Sequence, residues 1–231
     1  MDRRSVQATE QLVRVPAAGV TLEGNLVVPT QARGVVLFAH GSGSSRHSPR
    51  NRYVAGVLQE AALATLLIDL LTREEEAIDL RTAHLRFDIG LLAERLVGAS
   101  DWLAQYPETQ HFRLGYFGAS TGAGAALVAA ARRPERVDAV VSRGGRPDLA
   151  GPVLEQVRAP TLLIVGGHDF PVLEMNRAAL AQLRCEKRLE IVPGATHLFE
   201  EPGALEQVAR LARDWFVAHL TPPGPSRLPH A

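Results

Sequence analysis

Six short apolar runs, each followed by a longer stretch of helical period, leave this chain few architectures. The runs are residues 34–38 (GVVLF), 64–69 (ATLLID), 113–117 (RLGYF), 137–142 (VDAVVS), 160–165 (PTLLIV) and 188–192 (RLEIV). None alternates strictly between apolar and polar residues. Such strands are covered on both faces, as in a mostly parallel sheet with helices on either side. Two earlier runs, 11–15 and 23–28, flank a Gly19 turn and predict an antiparallel hairpin, which brings the expected sheet to eight strands. Apolar spacing predicts helices over 89–103 and 206–220, the latter burying Val208, Leu211, Ala212, Trp215 and Leu220 while Glu206, Arg210 and Asp214 face water. The acidic run Glu74–Glu76 could be mistaken for a metal site but reads as a solvated face.

With 231 residues and no repeat or internal linker, residues 1–220 are expected to form one domain, and the Pro-rich segment 221–231 a flexible tail. Lys plus Arg and Asp plus Glu number 25 each, so no net field favours nucleic acid or an anionic membrane. A lone cysteine, Cys185, supports neither an internal disulfide nor a thiolate metal cluster. The N-terminal residues lack an apolar signal-peptide run, and no stretch reaches the roughly 20 apolar residues of a membrane span, so a cytoplasmic protein is expected. Homodimer formation is compatible with the sequence but not required by it.

The chemistry concentrates in Gly118-Ala119-Ser120-Thr121-Gly122, a GxSxG pentapeptide between a strand and an alanine-rich helical run. A serine on a sharp strand-to-helix turn has a strained backbone, and the residues two before and two after it must be small. Gly118 and Gly122 meet that need. The following helix turns its N-terminal amides and positive dipole end toward the serine, which favours a developing oxyanion. A serine hydroxyl becomes a nucleophile only when a base takes its proton and a third group orients that base. His197 follows the last strand and Asp169 the strand before it, so both belong to loops at the edge that carries the serine. The chain order serine, aspartate, histidine is the order this elbow requires. Asp148 is an alternative acid, and His168 reads as a structural or rim residue. Cys185, in a polar segment away from a strand end, is a poor candidate nucleophile.

The first core strand runs into Ala39-His40-Gly41-Ser42-Gly43-Ser44-Ser45. This loop is expected to supply the Ser42 amide as one oxyanion donor beside the amide of Thr121, with His40 pinning the loop by hydrogen bonding. It lacks both the Walker lysine and GxGxxG spacing, so nucleotide binding is weakly supported. Arg46, Arg50 and Arg52 follow that loop, and Arg143 and Arg146 follow the fourth core run. Arg46, Arg143 and Arg146 are candidate ligands for a substrate carboxylate or phosphate, although pairing with Asp148, Glu174 or Glu200 would occupy such arginines instead.

Together AHGSGSS (39–45), GYFGASTGAG (115–124), GGHDFPV (166–172) and GATHLFEEPG (194–203) resemble the α/β-hydrolase superfamily, and their texture its dienelactone hydrolase-like branch. The resemblance covers about residues 20–218. It implies Ser120 as nucleophile, His197 as base and Asp169 as its orienting acid, acting through an acyl-enzyme on a small-molecule ester with neither metal nor organic cofactor. Dienelactone hydrolases proper carry cysteine in the elbow. Serine at that position points instead to a general esterase, with thioesterase, acyltransferase or amidase chemistry as alternatives and a non-catalytic binding protein as a more distant one. Some relatives are fused to a phosphoribosyltransferase-like domain, of which this sequence shows no sign. About 17 residues separate Ser142 from Pro160, too few for a large helical cap.

Overall fold

The computed structural model describes residues 9–221, so residues 222–231 of the predicted tail lie outside the described residues. The strands are β1 (Gln11–Ala17), β2 (Val20–Val27), β3 (Gly34–Ala39), β4 (Ala64–Ile68), β5 (Arg113–Ala119), β6 (Val137–Arg143), β7 (Thr161–Gly166) and β8 (Lys187–Val192). They form one sheet in the order β1-β2-β4-β3-β5-β6-β7-β8. β1 pairs antiparallel with β2, and β2 antiparallel with β4; every pair from β4 to β8 is parallel. The hairpin turns at Ala18 and Gly19, both with positive φ, the geometry that matches the twist of two-residue hairpins.

Among the described residues, helices α1 (Pro49–Glu60), α2 (Arg73–Thr82), α3 (Ile89–Leu103), α4 (Thr121–Arg132) and α5 (Phe170–Gln182) lie between strands, and α6 (Ala204–Leu220) follows β8. Residues 113–119 show how one strand serves two faces. Leu114 and Tyr116 enter the core built with α3 and α4, while Phe117 enters the core built with α1 and α6. The Tyr116 hydroxyl lies 2.6 Å from Ser100 Oγ inside that first core, and burial pushes its phenol above the ordinary range. Gly115 is small because α6 presses on it: a Cβ there would lie 2.6 Å from the Phe216 ring.

No large cap interrupts β6 and β7. Only short 3₁₀ turns, Pro147–Gln156, broken at Gly151, fill the interval. Glu74 and Glu76 are exposed, in keeping with the solvated reading, while Glu75 is half-buried. These residues form the first turn of α2, where Thr72 and Glu75 make a reciprocal capping box, Glu75 Oε1 accepts from Arg95 Nη2 at 2.6 Å, and Glu76 borders a cavity. The T-x-x-E spacing ahead of this helix was the available sequence signal.

Candidate active site

At the carboxyl edge of the parallel strands, β5 turns sharply into α4. Ser120 occupies this turn with φ 50° and ψ −123°, a conformation costly for a residue with a side chain. Three backbone bonds hold it: Ser120 N–H donates to Arg143 O (3.3 Å), and Ser120 O accepts from Arg146 N–H (3.0 Å) and Ala123 N–H (3.1 Å). The flanking glycines are sterically required. A Cβ at Gly118 would lie 2.4 Å from Ala123 Cα, and one at Gly122 2.3 Å from Ala39 O. The second contact seats the 39–42 loop directly on the elbow.

Asp169 and His197 come from the ends of β7 and β8. His197 Nδ1 stands 2.7 Å from Asp169 Oδ2, with the carboxylate largely buried and the imidazole part-exposed. The histidine loop is held from two sides. Glu201 Oε1 accepts from both the amide (3.1 Å) and the hydroxyl (2.6 Å) of Thr196, and these bonds lower the Glu201 carboxyl below its usual range. The ring of Phe199 is buried although its φ is 56°, an unusual conformation for an aromatic residue. Gly144, just beyond β6, fits against His197, since a Cβ there would approach His197 O to 3.2 Å. Gly144 thus separates the histidine loop from the strand end that bonds the Ser120 amide.

The oxyanion loop departs from expectation at one atom. The Ser42 amide donates to Thr121 Oγ1 at 2.8 Å, so that donor already has a partner beside the elbow. Thr121 N–H is a first-turn amide of α4 without an intrahelical acceptor. His40 stabilises this loop. One ring nitrogen lies 2.9 Å from Gly41 O, and Nε2 accepts from Leu70 N–H at 3.1 Å. Burial pushes its imidazole below the ordinary histidine value, which favours the neutral ring that both contacts use.

The arginines separate into two groups. Arg46 is committed to the fold: its guanidinium bonds Asp69, Glu23 Oε2 (2.7 Å) and Asn25 Oδ1 (2.9 Å). Arg146 forms a bidentate pair with Asp148 at 2.9 and 2.7 Å. For these two the expectation of substrate binding gives way to intramolecular pairing, which also engages Asp148, the alternative acid. Arg143 keeps no such partner. His168 is exposed, with its ring 6.2 Å from that of Phe170, while Cys185 lies two residues before β8 and burial pushes its thiol above the ordinary range.

Sequence reading missed the wall formed by α2 and the 3₁₀ turn Leu85–Phe87. Together with the 40–45 loop it encloses a cavity of about 90 Å³, which borders Ser42 and Thr121 and continues to Leu70, Leu80 and Leu92. Asp79, buried at its edge, fastens the wall by accepting from Leu85 N–H (2.8 Å), Arg86 N–H (3.1 Å) and Arg86 Nε (2.5 Å). Burial opposes its charge, but those bonds outweigh burial and hold the carboxyl below its usual range. Among the described residues no group of three or more His, Cys, Asp or Glu side chains is placed to hold a metal ion.

A mostly parallel sheet with a strained serine between strand and helix defines the α/β-hydrolase class. Within that class, residues 22–218 match the model of the dienelactone hydrolase family, and this chain belongs to that family. A solved dienelactone hydrolase from Anabaena variabilis is 70% identical, with a TM-score of 0.91 over 93% of this chain and 99% of that one. Est1E from Butyrivibrio proteoclasticus shares the fold at a TM-score of 0.74 and 15% identity, covering 90% of this chain and 98% of its own. A Mycobacterium tuberculosis protein with the provisional name phosphoribosyl transferase is 62% identical over 217 residues, which make up 94% of this chain. The chain spans 48% of that relative's length. Among the described residues no helix is long and apolar enough to cross a membrane.

Proposed function

We propose that the protein hydrolyses carboxylic esters through an acyl-enzyme on Ser120. The observation that carries this reading is the His197–Asp169 bond at 2.7 Å on the same sheet edge as a serine held at φ 50°. Asp169 engages Nδ1 and leaves Nε2 to take the Ser120 proton as the oxygen attacks the ester carbonyl. The carbonyl oxygen gains charge at the head of α4, where the Thr121 amide is available. Turning the Thr121 hydroxyl away releases the Ser42 amide as the second donor. His197 then returns its proton to the departing alcohol, and water repeats both steps on the acyl group.

The cavity beside Ser42 is lined by Leu70, Leu71, Leu80 and Leu92, which suits an apolar acyl or alcohol group. The transferase name of the mycobacterial relatives belongs to proteins about half of whose length lies outside the match. A panel of p-nitrophenyl esters of increasing chain length tests the proposal. Ser120→Ala should reduce kcat by at least about a thousandfold on every ester that the wild type turns over. Full turnover by the alanine variant would show that another group is the nucleophile. Parallel assays with thioester and amide analogues, and with added alcohol, identify the bond and the acceptor.

A further inference from the structure

Strand β6 ends on Arg143, whose side chain follows Ala139 and Val141 onto the α1 and α6 face of the sheet. The residue is only 8% exposed. Among the described residues its one side-chain hydrogen bond runs from Nη2 to a neutral acceptor, Asn51 Oδ1, at 3.4 Å. Nε and Nη1 are buried without a partner, and among the described residues no carboxylate pairs with this guanidinium. Arg95, the other deeply buried arginine among the described residues, also has Nε and Nη1 without a partner, but its charge is met by Glu75, 2.6 Å from Nη2. A buried charge without an opposite charge is expensive, and an arginine does not escape the cost by losing its proton at neutral pH.

The surroundings add positive potential. Arg50 is the charge that acts on Arg143, and burial followed by Arg50 pushes the Arg143 guanidinium down to about 10, still protonated at neutral pH. Asn51 belongs to the first turn of α1, which contains Arg50 and Arg52 and no acidic residue, so the positive end of the helix dipole is not neutralised there. Arg50 itself reaches Glu200 at 3.1 Å, but that carboxylate is 66% exposed and such surface pairs are weak. Arg143 is also close to the chemistry. It pairs with Ala119 across the β5–β6 ladder, its carbonyl accepts the Ser120 amide, and the next residue packs against His197.

We propose that Arg143, with Arg50 and the first turn of α1, binds an oxyanion group, carboxylate or phosphate, carried by the substrate whose ester lies at Ser120. The assignment rests on the esterase reading above. The arriving anion supplies the missing acceptors of Nε and Nη1 and takes the place of Glu200 at Arg50.

The test compares p-nitrophenyl esters matched in length: the neutral valerate, the mono-ester of glutarate and the 4-phosphonobutyrate. In the wild type, kcat/KM for at least one anionic ester should exceed that for the neutral one by about tenfold or more. The favoured anion identifies the group. The ratio should approach one in Arg143→Met, which conserves volume and removes the charge. Binding is read separately in Ser120→Ala, where glutarate or inorganic phosphate should raise Tm, and that gain should vanish when Arg143→Met is added. A wild type that prefers the neutral ester, or an unchanged ratio in Arg143→Met, overturns the site. The wild-type comparison decides even if the variant does not fold. Arg143-dependent protection by an anion, without turnover of any ester, would retain the site and refute the esterase reading alone.

Discussion

The elbow and the α2 wall border the same cavity, yet they are held by opposite means. At the elbow, Ala119–Gly122 and the 39–42 loop meet backbone to backbone, with clearances that exclude even a methyl group at Gly118 or Gly122. Residues 73–87 are fastened by a capping box and the Asp79–Arg86 bonds, and leave Ile78, Leu80 and Phe87 exposed. Close packing fixes position at the cost of tolerance, whereas hydrogen bonds and charges fix it reversibly. The rigid region therefore sets the chemistry, and the polar-fastened one sets the shape offered to substrate.

The strongest challenge to that contrast is Gly122→Ala. Overpacking against Ala39 O should destabilise the fold by about 1–3 kcal/mol in denaturant melts and lower esterase kcat/KM by about a hundredfold. Gly56→Ala is the control. Nothing lies within 4 Å of a Cβ there, and in the interior of α1 the change should stabilise by about 0.5–1 kcal/mol. If both substitutions behaved alike, close packing would not be what distinguishes the elbow.

A smaller effect is expected from pH, because His40 joins the two regions through the Leu70 amide. Burial lowers its folded value, so the unfolded chain binds more protons on acidification. This contribution to stability is complete above the unfolded histidine value of about 6.5 and is lost as pH falls from there toward the folded value. Thermal melts from pH 8 to 5 should show the decline, and it should be largely absent in His40→Gln. The smallest effect is that of Thr72→Ala, which removes the capping box. It should cost about 1 kcal/mol, read as faster amide exchange confined to α2, with the Ser120 segment unchanged.

Much of the frame was legible because covered strands and amphipathic helices write their periods into the chain. The α3 prediction, 89–103, matches the structure, and that for α6, 206–220, starts two residues late, since the helix begins at Ala204 directly after Gly203, whose φ is positive. The GxSxG elbow and the strand-end positions of Asp169 and His197 were likewise readable, since turn geometry demands particular residues at particular places. Strand order was not. The runs cannot reveal that β2 bonds β4 antiparallel, because this pairing joins segments about 40 residues apart.

Sequence by itself therefore determined the layered class, the serine turn and the two side chains able to serve it, all of which follow from local backbone and chain-order constraints. Tertiary structure alone decided the fate of the charges. Arg46 meets Asp69 and Glu23, Arg146 meets Asp148, and Arg143 is buried with no carboxylate partner among the described residues. The reason is physical: periodicity records which face of a strand is apolar, but an ion pair depends on a few ångströms between residues from different elements, and only the assembled sheet fixes that distance.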